Sequence, residues 1–281
     1  EGRRQDLIDD AAAASDPDRG APPVGGAGFS GNVLDVGTGT YNYVYIDGGD
    51  RVAIYNGEPR SSLVTNPADG RVPAFTPEEQ QRRADRREFN RQFGPYDNPE
   101  NMDLALRCIT SFGSNAGPPM LPNGFYNNNY TIVQTADHIL IFTEMVHDVR
   151  IIRMGERMPL PEQVRPWMGD SWGHWEGNTL VVETTNVHPD QGYNESFDKV
   201  PYSEDYRVIE RFTQVDDDTI LYEFEIDDPR TYSEPWGGEI PWERFDQQIL
   251  EYACHEGNYA LGNVLSGARY QERQGGGNED E

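Results

Sequence analysis

The sequence predicts a mostly β protein: an antiparallel barrel or strongly curved sheet with one or two short helices. Three observations carry this. Short runs rich in β-branched and aromatic residues recur between turn signals, at 130–135, 138–146, 149–153, 178–185, 206–215 and 219–227. Within Thr219–Asp227, Ile220, Tyr222, Phe224 and Ile226 alternate with Leu221, Glu223 and Glu225, so one face is core and the other mostly wet. The 29 Gly and 20 Pro among 281 residues suit many turns rather than long helices. A lipocalin-like barrel is the specific expectation, and a β-sandwich is the alternative.

Taken in order, residues 1–39 form an acidic, Gly- and Pro-rich arm that orders only against something else. Tyr41–Asp47 and Arg51–Tyr55 read as strands joined at Gly48-Gly49. Thr76-Pro77-Glu78-Glu79 is a capping box with proline at the first helical position, which predicts a helix running to about Phe93. Arg82, Arg83, Arg86, Arg87 and Arg91 are interleaved with acids and read as that helix's ion-paired face. Asp216-Asp217-Asp218 turns between the two strongest strands. Gln247–Cys254 reads as a final strand and Asn258–Glu272 as a short helix. Residues 40–273 are expected to form one domain, followed by a loose tail at 274–281.

The net charge of −26 opposes nucleic acid and anionic lipid as partners. No apolar run reaches the roughly 20 residues a bilayer-spanning helix needs, so the chain is not expected to span a membrane. With no initiating methionine and no signal peptide, the sequence reads as the mature form of an exported protein, periplasmic or extracellular. Cys108 and Cys254 are either a long-range disulfide or two buried thiols.

Several polar groups are candidates for chemistry. His147, Asp148 and Arg150 sit between two strands, where a histidine beside a carboxylate can act as a general base and the arginine can hold an anion. With Tyr130 and an asparagine amide, His147 and Arg150 make the set that β-elimination of a uronic acid requires: amide and Arg on the carboxylate, His or Tyr taking the C5 proton. The same residues also read as a turn whose polar groups satisfy one another. Asn127, Asn128 and Asn129 can bind sugar hydroxyls, but asparagine runs are also turn formers. Trp172 and Trp175, with His174 and Glu176 beside them, can stack on and grip a pyranose ring. Trp167, Trp236 and Trp242 share that choice between platform and core. His255 follows Cys254 without the spacing for haem attachment. No metal-ligand spacing and no cofactor fingerprint is present, so neither metal nor cofactor is expected.

The segments RSSLVTNPADGRVPAFTPE, PPMLPNGFYNNNYTIVQT, TEMVHDVRII, WMGDSWGHWEGNTLVVETTN, VIERFTQVDDDTILYEFEIDDP and YACHEGNYALGNVLSGAR resemble a family of exported bacterial proteins, mostly labelled hypothetical. The resemblance spans roughly residues 40–270 and implies export and a single domain, with no chemistry to carry over. Two functional expectations follow. The first is a protein that binds a small molecule or glycan, with polysaccharide lyase or hydrolase as the enzymatic form. The second is a non-catalytic subunit of an envelope assembly or extracellular filament, self-associating or meeting an envelope partner through residues 1–30.

Overall fold

The computed structural model describes residues 54–55, 58–59, 62–121, 127–192 and 200–274. The predicted arm, the Gly48-Gly49 hairpin and the tail from 275 lie outside them. Ile54–Tyr55 (β1) pairs with Glu58–Pro59 (β2) in a small antiparallel ladder. The body is one nine-stranded sheet. Its strands are Val64–Asn66 (β3), Tyr130–Gln134 (β4), His138–Thr143 (β5), Val149–Met154 (β6), Asp170–Glu176 (β7), Thr179–Thr185 (β8), Arg207–Gln214 (β9), Thr219–Asp227 (β10) and Trp236–Glu243 (β11). They are ordered β3-β11-β10-β9-β8-β7-β6-β5-β4. Every pair is antiparallel except β6 with β7, which is parallel. The connection between those two is tied down from both sides: Leu160 N–H donates to Asp170 at 2.7 Å, and the Asn186 amide donates to the Pro161 carbonyl at 3.1 Å.

The sheet is strongly curved. Seven strand spacings separate β11 from β4, which in a flat sheet is roughly 33 Å. Yet the ring of Tyr130 on β4 stacks on Trp242 of β11 with centroids 4.7 Å apart. The ends roll toward each other without pairing, so the barrel is not closed.

The inner face makes the core. Tyr222, Phe224 and Ile226 of β10 are buried as their alternation requires, beside Val208 and Phe212 of β9 and Leu180 and Val182 of β8. The loop preceding β4 fills one end of the roll. Met120 is fully buried, and its N–H donates to the Tyr222 hydroxyl at 2.7 Å, while the Tyr206 hydroxyl donates to Pro118 O at 2.9 Å. The interior is thus occupied by the chain's own side chains.

Four strands escape the sequence reading, β2, β3, β7 and β11, and glycines explain the two long ones. In β7, to which the sequence reading gives no strand, Ser171 and Gly173 face inward. A Cβ on Gly173 would stand 2.8 Å from Met154 Sδ and 2.9 Å from Ile152 Cγ2, so β6 leaves room for no side chain there. In β11, a Cβ on Gly237 would lie 2.2 Å from Phe224 O and one on Gly238 2.3 Å from Leu63 O. Close approach of neighbouring backbones selects the residue that β propensity disfavours. The expected strand at Gln247–Cys254 is a correction in the other direction: the segment joins no ladder and lies as a strap across the β5–β6 end.

The helices come close to their predicted bounds. Pro77–Asn90 (α1) is capped by Thr76, whose hydroxyl accepts from Glu79 N–H at 3.1 Å. Buried Glu79 pairs with Arg82 at 2.6 Å, and Arg82 reaches on to the Thr231 hydroxyl at 2.9 Å, which fastens α1 to the turn after β10. Ala260–Arg273 (α2) buries no residue fully and is held through Arg269, which donates to Asp97 O at 2.6 Å.

Candidate functional site

The four predicted catalytic residues do not come together. After β5, a 3-10 turn at Met145–His147 carries Val146 and His147 at φ 58° and 57°. These left-handed residues put His147 on the surface, with Nδ1 3.3 Å from Tyr252 O of the strap and its ring 6.0 Å from that of His255. Asp148 turns inward and accepts Ser111 N–H at 2.6 Å. Tyr130 donates to the Asn115 carbonyl at 2.7 Å and to its side-chain oxygen at 2.9 Å, and burial of the phenol raises its pKa.

Arg150 faces the core and is 1% exposed. Its guanidinium forms a two-pronged pair with Glu210, the Nη1–Oε1 arm at 2.7 Å, and donates to the Thr184 hydroxyl at 2.7 Å. Ser171 and Thr184 share a hydrogen bond of 2.8 Å, and the Tyr222 hydroxyl donates to Glu210 at 2.7 Å. Burial opposes the charge on Arg150, but Glu210 outweighs it and the guanidinium pKa rises. Burial, reinforced by Glu210, also pushes the Tyr222 phenol well above its usual range. Every group here is spent on another inside the core. The cluster fixes how β6, β7, β8, β9 and β10 pack.

The predicted ligand set is also dispersed. Asn127 is buried at φ 49°, a left-handed position that asparagine tolerates. Asn129 donates to buried Glu144 at 2.9 Å, and the other oxygen of Glu144 takes Leu250 N–H at 2.5 Å, fixing the strap. Asn128 is half-buried beside them. On the outer face of β7, Trp172 lies beneath the Arg153 guanidinium at 4.6 Å. His174 sits 3.1 Å from Glu176, and Arg211 lies 3.1 Å from the same carboxylate; hydrogen bonds from the two hold it below the usual carboxylate range. Trp175 points to the other face and is 48% exposed. Trp236 and Trp242 belong to the aromatic core, and Trp167 packs on His188. Cys108 and Cys254 form a disulfide. Among the described residues, no group of three or more His, Cys, Asp or Glu is placed to hold a metal ion, and no helix is long and apolar enough to cross a membrane.

Two other surfaces emerge. Beside α1 runs a groove of about 910 Å³ lined by Arg82, Arg86, Phe89, Phe93, Asn98 and Asn101, among others. Phe89 and Phe93, one helical turn apart with ring centroids at 5.2 Å, supply its apolar surface, and Arg86 is paired with Asp190 at 3.1 Å. Two phenylalanines at i,i+4 on an otherwise polar helix were the signal for it in the sequence.

The second surface is the β4 end of the sheet. Among the described residues β4 is the last strand of the sheet and pairs only with β5. Across β4, β5 and β6 the register aligns Val133, Leu140 and Ile151 in one outer row and Thr131, Phe142 and Val149 in the next. None of the six is charged, and Val133 is 48%, Val149 42% and Ile151 54% exposed. The chain matches no family model, and no curated protein or solved structure matches it.

Proposed function

We propose that the protein is an exported, non-catalytic structural subunit that assembles through the β4 end of its sheet. One observation carries this reading: a strand that ends the sheet among the described residues, flanked by an uncharged, mostly apolar outer face, on a chain of net charge −26. Edge strands that must stay unpaired are shielded by charge, proline or a bulge. β4, YTIVQ, has a charge or proline at no position and pairs with β5 in regular register. Contiguous exposed apolar surface of this kind marks a contact site. The disulfide supports export, since such bonds persist in oxidising compartments. The core-bound Arg150 and the scattered histidine, aspartate and tyrosine favour this reading over lyase or hydrolase chemistry.

Sedimentation velocity tests it. The wild-type chain should sediment as a species larger than a monomer, and Val133→Lys with Ile151→Lys should return it to the monomer with an unchanged circular dichroism spectrum. A wild-type chain that remains monomeric from micromolar to near-millimolar concentration rejects the proposal.

A second reading rests on the α1 groove, whose volume of about 910 Å³ falls in the range of small-ligand sites, about 300–1,000 Å³. Phenylalanine rings beside asparagine amides suit a saccharide face and its hydroxyls. Calorimetric titration with neutral and uronic-acid oligosaccharides should then show binding that Phe89→Ala weakens at least about tenfold, a loss of about 1.4 kcal/mol. Absence of binding to the wild type, or equal binding by the variant, removes this reading.

A further inference from the structure

The β4 edge can take several occupants, and the geometry points to one: we infer that it accepts residues 41–47 of a second copy of this chain as an added strand. This rests on the assembly reading above and names the partner for that surface.

Three observations select the occupant. The first is exposure. Ile132 and Val133 are 40% and 48% exposed, so the strand offers apolar side chains to an added partner. The second is charge. With 49 acidic residues against 23 basic ones, most segments of a second copy would bring carboxylates to the edge. Residues 41–46, YNYVYI, carry none, and their six residues suffice to span the five of β4. The third is pattern. Tyr41, Tyr43 and Tyr45 alternate with Asn42, Val44 and Ile46, the period of a strand with two different faces. Added to β4, the tyrosine row continues the outer apolar rows that end at Thr131 and Val133. Val44 and Ile46 then lie beside Ile132 on the inner row. Main-chain hydrogen bonds supply affinity and alternate side chains supply selectivity, as in other strand additions.

Reach permits the exchange. From Asp47 to Ile54 the chain covers up to about 24 Å, and from Pro59 to Val64 up to about 17 Å, with the β1–β2 ladder between them. Donor and acceptor are different surfaces of the same molecule. Exchanged in one direction the contact propagates into a ring or an open polymer, and exchanged reciprocally it closes a two-fold dimer.

The test uses two full-length variants, each lacking one half of the contact. Val44→Pro removes a main-chain donor from the added strand, and Val133→Lys places a charge on the acceptor edge. Each alone should sediment as a monomer. Mixed at equal concentration, they should form a 1:1 dimer and nothing larger, because the mixture holds one intact donor and one intact acceptor. Wild type should sediment as a reciprocal dimer or a larger ring or polymer, and not as a monomer. If Val44→Pro assembles like wild type, the inference fails while assembly through β4 stands, with another segment or a β4–β4 pairing as the contact. If both variants stay monomeric when mixed, strand exchange between copies is rejected. If wild type itself is monomeric throughout, the assembly reading falls and takes the inference with it.

Discussion

Arg150→Met is expected to lower the melting temperature by roughly 6–20 °C, because breaking a buried ion pair costs about 3–5 kcal/mol and each kcal/mol moves a domain of this size by about 2–4 °C. The substitution leaves the Glu210 carboxylate inside the core with its hydroxyl neighbours but without its counter-charge. A carboxylate so placed has its folded-state pKa raised above the unfolded value. The group is then neutral and tolerated at low pH, and the folded state loses stability as pH rises. The deficit of the variant against wild type should therefore shrink in acid, which thermal melts at several pH values will show. Arg150→Met combined with Glu210→Leu should recover most of the loss, since both charges are gone. A single variant melting within about 2 °C of wild type would contradict the role assigned to this pair. A catalytic arginine, by contrast, would abolish turnover and leave the fold intact.

The second large effect concerns the disulfide. Cys108 and Cys254 are 146 residues apart, and closing a loop of that size stabilises a fold by about 5 kcal/mol in the chain-entropy model. What the bond holds is specific. The strap before α2 is otherwise fixed by Leu250 N–H on Glu144 and Tyr252 O near His147, and α2 itself has no fully buried residue. Cys254→Ser should therefore release the C-terminal end first. Amide exchange over residues 260–273 should rise by about tenfold or more, with a smaller rise in β8, β9 and β10. Reductant should reproduce this in wild type and add nothing to the variant. Unchanged exchange in α2 after reduction would show that packing, not the bond, keeps the helix in place.

Legibility followed locality. The capping box at Thr76 and the alternation of Thr219–Asp227 are written within a few neighbouring residues, and both elements form where they were expected. β7 and β11 were missed because their Gly173, Gly237 and Gly238 answer to atoms of Met154, Phe224 and Leu63 that are distant in sequence. Gln247–Cys254 was over-read because apolar spacing says nothing about whether a strand is available to pair with. At the candidate site, closeness in sequence misled. His147 and Arg150 are three positions apart, yet two left-handed residues and a strand start send one to solvent and the other to the core. Arg150 is defined by Glu210, sixty positions away, and no local pattern announces that. The β4 edge was legible only in retrospect, since an edge is a property of the strand order and not of the strand.

The stacked rings of Tyr130 and Trp242 carry a mechanical corollary. Tyr130 opens the strand with the free side, while Trp242 belongs to the strand next to the opposite margin. Load applied along β4 therefore reaches β11 as well as β5, but through a single ring contact worth about 0.5–1.5 kcal/mol. The seam is a latch and not a weld.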